Sequence, residues 1–406
     1  MKPYCIFLFF LLCFWGCAAD KTLPPLLRLS PSDYPVFTDD LHYEGLAESI
    51  GQSLRYLKRV PADRRFFFGG NSETDSPDAD APDADAYDAA HMIRSLEIFL
   101  AFLEQRPSAK EMQTFIRTHY LVYKSSGSGE KNQVLFTGYY EPLLRGSLQK
   151  SAAYPWPVYG PPHDLLTADL SLFSPEYKGK TLIGRVEGNR FLPYYERKEI
   201  DKGALAGKAP ELLWVDDAVD LFFLQIQGSG KIALENGETV NVHYHSKNGR
   251  PYRSIGKILI EEKKIARELM SMQKIREYLR THPEEQERIL HANPSYIFFS
   301  VEKEGPLGAL NVRLTPGRSL AADRKIFPMS ALAFVQTQRP LTGDASGKAL
   351  AWIDFSRFLL NQDTGGAIKG PGRADIFWGH GDYAVTAAGH LKHPGNLYFL
   401  VLRPET

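Results

Sequence analysis

The chain has only three cysteines, Cys5, Cys13 and Cys17, and all of them lie in its first 17 residues. From Ala18 onward there is no thiol, which excludes a disulfide framework, a thiolate nucleophile and a cysteine zinc knuckle. An excess of either charge is also missing: Lys plus Arg and Asp plus Glu are each 48, giving a formal net charge of +0. Without a basic field there is no electrostatic basis for binding nucleic acid. No internal repeat is visible, and the longest apolar run, Cys5 to Trp15, is too short to span a bilayer.

That run follows Lys2 and ends in Gly16-Cys17, the pattern of an export signal over residues 1–17. Its end resembles a lipoprotein cleavage site, so Cys17 is the expected lipid anchor. Ala18 in the next position resembles outer-membrane sorting, which predicts the periplasmic face of the outer membrane.

What is present is a globular composition, 43% hydrophobic and 24% charged, over 406 residues, enough for two or three domains. Helical spacing is expected over Tyr43 to Leu57, in DAAHMIRSLEIFLAFLEQ and near Glu111 to His119. The intervening NSETDSPDADAPDADAYD, with six Asp and two Pro, lacks the glycine and terminal Glu of an EF-hand and reads as a solvated acidic loop. Residues 145 to about 250 read as short strands, including LFFLQIQGSGKIAL. Helix returns at SIGKILIEEKKIARELMSMQKIREYLRTH and again from Pro283; strands resume at NPSYIFFSV and continue through AADRKIFP to LYFLVLRP. The fold class is therefore mainly β with flanking helices, α+β, with barrel-like β-domains.

The stretch QDTGGAIKGPGRADIFWGHGD holds most of the candidate chemistry. One DTG triplet, Asp363 to Gly365, argues against a single-chain aspartic protease, which needs two. GGAIKGPG has Lys369 but no Ser or Thr after it, so it is not a phosphate loop. His380, Asp382, His390 and His393 are zinc-compatible side chains, but they lack a helical H-x3-H pair and a Glu base, so no metal and no cofactor is assigned. What remains is a carboxylic acid beside aromatic rings. In a strand, Asp375 and Phe377 share one face, and Ile376 and Trp378 the other. Apolar flanks would raise the acid's proton affinity, Asp363 nearby would add to this, and Lys369 would oppose it. Turn-capping by both aspartates is the plainer reading of the same residues.

Several longer motifs decide between them. FTGYYEP (136–142), LPYYERKEI (192–200), DLFFLQIQGSGKIAL (220–234), GRPYRSIGKILI (249–260), NPSYIFF (293–299), LTPGRSLAADRKIFP (314–328) and DTGGAIKGPGRADIFWGHG (363–381) together resemble the membrane-bound lytic murein transglycosylase A family. The resemblance implies a double-psi β-barrel made of residues 24–144 and 305–406. An inserted β-domain, 145–304, would form the other wall of a glycan groove. The C-terminal part resembles a three-aspartate barrel with its acids at Asp323, Asp363 and Asp375. Asp375 would be the catalytic acid cutting peptidoglycan to 1,6-anhydromuramic ends, with Asp323 and Asp363 supporting the site. Thr137, Gln225 and Gln227, the last two on one strand face, are expected to position the sugar, and Tyr139 and Tyr140 either to stack on it or to pack in the core. Gly366, Lys369, Phe377 and Trp378 join them as supporting residues, while Glu141 is expected at the surface or groove rim. Cell-wall synthesis complexes are further candidate partners. The rival reading is a non-catalytic, expansin-like module that binds peptidoglycan.

Overall fold

The computed structural model describes residues 23–69, 85–342 and 349–404. Cys17, the export signal and most of the acidic loop lie outside the described residues.

Six strands close a barrel. In chain order they are β1 (Val134–Tyr139), β2 (Ser319–Ala321), β3 (Leu332–Thr342), β4 (Ala349–Asp363), β5 (Arg373–Phe377) and β6 (Lys392–Leu402). Around the ring β6 pairs antiparallel with β3, and β3 antiparallel with β4. β4 runs parallel to β2, β2 antiparallel to β5, and β5 parallel to β1. The antiparallel pair β1–β6 completes the closure, so none of the six presents a full open edge. Tyr120–Ser125 and Leu26–Arg28 extend this sheet outward from β6.

The barrel is filled by the inward members of these strands, among them Phe136, Leu320, Val335, Leu359, Ile376 and Phe399, all fully buried. Helices Leu46–Leu57 and Ala89–Leu103 lay apolar faces on the same core. Arg318, fully buried, pins the N-terminal segment to the barrel through a bidentate pair with Asp39, at 2.6 and 2.8 Å.

After β1 the chain crosses at residues 140–142 into a second sheet. Its six strands run in the order Ile297–Glu302, Thr239–Lys247, Ser229–Leu234, Leu143–Ser147, Glu211–Val215, Trp156–Tyr159. A smaller three-stranded sheet projects from this part, formed by Leu166–Asp169, Thr181–Glu187 and Arg190–Pro193.

Three local expectations fail. DLFFLQIQ is not a strand but part of the helix Ala218–Gln227. The Asp217 side chain caps it by accepting from the Val219 and Asp220 amides, and Gly228, at φ 81°, ends it. A continuous apolar run carries no period of its own, so these caps decide the outcome. The long helix predicted from Ser254 divides into Ile255–Glu261 and Met272–Thr281, with Lys263 in the left-handed region between them and Ser271 starting the second. DRKIFP leaves the strand at Ala321 and turns.

Candidate active site

The three aspartates meet where the short strand β2 ends. Ala321, its last residue, is in register with Asp363 on β4 at one side and with Asp375 on β5 at the other. Asp323 follows two residues later. Residues 363 and 375 are thus brought together by one strand between them, although twelve positions separate them in sequence.

Asp375 is in parallel register with Thr137 of β1. The Thr137 hydroxyl donates to Asp375 Oδ1 in a short hydrogen bond. Arg373, two residues before Asp375 and therefore on the same strand face, donates from Nε to Oδ1 at 3.1 Å and from Nη2 to Thr137 Oγ1 at 2.8 Å. Its guanidinium is a partner not expected from the sequence. The R-x-D spacing at 373–375 was the available signal, because it puts a cation on the acid's own face. The Asp375 side chain keeps 16% of its exposure, so one edge remains open to a ligand.

Asp363 is crowded differently. Its Oδ1 accepts from the amides of Ala309 and Thr364, each at 2.9 Å. Burial nevertheless pushes its pKa up to about 6, against these donors and Tyr139, and with help from the negative charge of Asp375. The Tyr139 hydroxyl is buried against Asp363 without a well-formed hydrogen bond, and burial with the neighbouring carboxylates lifts its pKa well above the usual phenol. Its ring lies 5.2 Å from that of Phe377. Asp323 has a structural task here: Oδ2 accepts from the Gly370 amide at 2.8 Å and Oδ1 from the Lys325 amide at 3.2 Å, which fastens the glycine loop 364–372. Gly366 and Lys369 are exposed on that loop.

Other expected residues fall elsewhere. Gln225 and Gln227 share a helix rather than a strand face. Gln225 is buried near Tyr296, while Gln227 Oε1 accepts from the Tyr140 amide at 3.1 Å and so joins that helix to the end of β1. Tyr140 is a packing residue, buried, with its hydroxyl accepting from Arg276 at 3.2 Å. Trp378 turns into the core against Phe355 and Tyr383.

Glu141 is not at a rim. It is 2% exposed, sits at the crossover between barrel and second sheet, and pairs with Lys231 at 3.2 Å. Burial raises its pKa, against the charges of Lys231, His380 and Arg313. The zinc-compatible histidines do not converge: His390 Nδ1 is 3.0 Å from Thr386 O and the His393 ring lies 3.9 Å from that of Trp352. Among the described residues no group of three potential ligands could hold a metal.

A closed barrel with acids clustered at one strand end, joined to a second sheet, defines a class already known. Residues 135–300 match the MltA specific insert domain and residues 318–401 the 3D domain. The chain is 32% identical over 280 residues to the membrane-bound lytic murein transglycosylase A of Vibrio cholerae, covering 68% of each sequence. It is 33% identical over 285 residues to that of Escherichia coli K12, covering 70% of this chain and 69% of the relative. Among solved structures, a membrane-bound lytic murein transglycosylase from Agrobacterium tumefaciens superposes with a TM-score of 0.73 at 28% identity, covering 93% of this chain and 98% of that one. E. coli MltA with bound chitohexaose gives 0.69 at 25% identity, over 95% and 97% of the two chains. The protein is thus an enzyme, a lytic transglycosylase. It belongs to the membrane-bound lytic murein transglycosylase A family.

Proposed function

We propose that this transglycosylase cleaves, in peptidoglycan, the β-1,4 bond from N-acetylmuramic acid to N-acetylglucosamine, and that Asp375 alone performs the proton transfers. The observation that carries this reading is the half-open Asp375 carboxyl. Its Oδ1 is tied down by Thr137 and Arg373, while Oδ2 has no protein partner among the described residues.

In the first step, protonated Asp375 gives its proton to the glycosidic oxygen. The bond from the anomeric carbon to that oxygen breaks with its electron pair leaving on the oxygen. The muramic acid's own N-acetyl oxygen stabilises or captures the anomeric carbon. The sugar's C6 hydroxyl oxygen then bonds to that carbon, the bond to the N-acetyl oxygen, where formed, breaks with its electron pair returning to that oxygen, and the hydroxyl proton passes to the Asp375 carboxylate. The acid ends as it began, no water is consumed, and the product carries a 1,6-anhydro ring. An attacking group within the substrate replaces the second carboxylate of an ordinary glycosidase and gains high effective molarity.

Tyr139 and Gln227 are the residues we assign to the sugar side of the site, with Asp323 and Asp363 as its supports and the buried Phe377 ring behind Tyr139. The barrel's connectivity is read as double-psi, with residues 24–144 plus 305–406 forming one domain and 145–304 the insert. The change of sheet at the crossover near residue 141 supports a division close to that one, with the whole strand Leu143–Ser147 on the insert side. Anchoring to outer-membrane lipid through Cys17 belongs to the same proposal. Among the described residues no helix is long and apolar enough to cross a membrane. A Cys17→Ala variant that still sediments with membranes would remove the anchor.

The deciding experiment incubates purified protein with murein sacculi and weighs the soluble products. Anhydromuropeptides are expected from the wild type and none from Asp375→Asn. Products heavier by one water would make the enzyme a hydrolase. Sacculus binding without any product, equal in both proteins, would make it an expansin-like module.

A further inference from the structure

We infer that Arg373 is a positioning residue of the reaction: it clamps Thr137 and one oxygen of Asp375, so that the other oxygen, Oδ2, is the one that delivers and recovers the proton. The inference rests on the assignment of Asp375 as the acid and adds the group that orients it.

The geometry is a closed three-membered arrangement. Arg373 Nε reaches Asp375 Oδ1 at 3.1 Å, Arg373 Nη2 reaches Thr137 Oγ1 at 2.8 Å, and Thr137 Oγ1 in turn donates to the same Oδ1. Two parallel strands hold it, since Thr137 and Asp375 are directly in register and Arg373 is one same-face position away. The planar guanidinium uses two of its donors at a fixed spacing, which a flexible ammonium cannot copy. An exposed ion pair would contribute little, but here the side chains retain only 31% and 16% of their exposure. Fixing both the hydroxyl and Oδ1 leaves the carboxyl little freedom to rotate, so Oδ2 keeps one direction toward the ligand.

The chemical consequence concerns both halves of the reaction. When Oδ2 gives up its proton, the negative charge forms next to a guanidinium already in place, with no reorganisation needed. When the C6 hydroxyl proton returns, Oδ2 again accepts it, because Oδ1 is already occupied by two donors.

The test uses full-length enzyme with Arg373→Gln, Arg373→Lys, Thr137→Val, the Arg373→Gln/Thr137→Val double variant and Asp375→Asn as reference. Turnover on sacculi, its pH profile, sacculus pelleting and thermal melting are measured for each. Arg373→Gln is expected to lose about a hundredfold in kcat with pelleting and melting unchanged. Removing the cation favours the protonated acid, so the alkaline limb of its profile moves up by about one pH unit. Arg373→Lys returns the limb toward its original place, since the charge is back, but leaves most of the kcat loss, since the fork is not. The double variant is no slower than Arg373→Gln alone, as expected for one unit. Wild-type kcat and pH profile in Arg373→Gln would overturn the inference, as would kcat falling only in step with pelleting or melting. Full activity in Asp375→Asn would instead overturn the assignment of the acid itself.

Discussion

Asp363→Asn is expected to make the protein more stable at neutral pH. In the folded state the Asp363 pKa is raised from 3.8 to about 6. A carboxyl raised on folding holds its proton longer in the native than in the unfolded chain. Its contribution to stability is full below about 3.8 and is lost as pH rises through about 6. A rise of about two in pKa corresponds to about 3 kcal/mol, and screening through its residual solvent access reduces this to about half. Asn keeps an oxygen for the Ala309 and Thr364 amides and cannot ionise. The difference between variant and wild type therefore grows between about pH 4 and pH 7. For a chain of this size it ends as a rise in Tm of about 2 °C. Thermal melts of both proteins across that range test this, because titrating groups that do not interact with Asp363 cancel in the difference. Parallel melting curves over the whole range would refute the electrostatic account of the site. The same substitution removes a negative neighbour of Asp375, so turnover is expected to fall while stability rises, the usual exchange at a strained active site.

Arg318→Met leaves Asp39 buried without its partner and is expected to cost about 3–5 kcal/mol in urea unfolding. Burial alone would raise the Asp39 pKa, but the bonds and charge of Arg318 with the Phe358 and Tyr43 amides hold it below the ordinary carboxylate range. Its stabilisation is therefore present above the unfolded value and fades as pH falls through the lowered one. A loss under about 1 kcal/mol would show that the pair is dispensable. At Gly138, a Cβ would stand 2.7 Å from the Trp378 indole and 2.8 Å from Ala388 Cα, so Gly138→Ala is expected to destabilise by about 1–3 kcal/mol. Because β1 also carries Thr137 and Tyr139, its sacculus turnover should fall as well; an unchanged melting temperature and turnover would mean that the helix Asp382–His390 yields freely.

The strands that build the site were legible because their signals are local. RADIF and FTGY carry apolar alternation, and the glycine cluster between Asp363 and Arg373 marks the turn that separates two strands. The helix at Phe222 to Gln227 was not, because Phe222 to Gln225 are all buried and such a run has no period to read. Glu141 was misplaced for a related reason. An acid next to Pro in a loop reads as solvated, and nothing local reports that the crossover itself is covered by both parts of the fold. Arg373 was hidden because the aromatic neighbours of Asp375 make desolvation look like its whole environment. The register of β1 against β5, which brings Thr137 and Arg373 onto one carboxyl, depends on residues 236 positions apart.

Two acids share the site, and a choice between them follows from what each oxygen already does. A retaining glycosidase would use the pair as acid and nucleophile. Asp363 is poorly suited to attack. Its Oδ1 is held by two backbone amides and its carboxylate lies against the buried Tyr139 hydroxyl. Its raised proton affinity also means that near pH 6 it is charged only about half the time. What Asp363 supplies is a charge beside Asp375 that varies with pH around 6. On that basis Asp363→Asn should narrow the profile without changing the product, whereas a nucleophile's loss would abolish it; mass spectrometry of the released sugars separates the two.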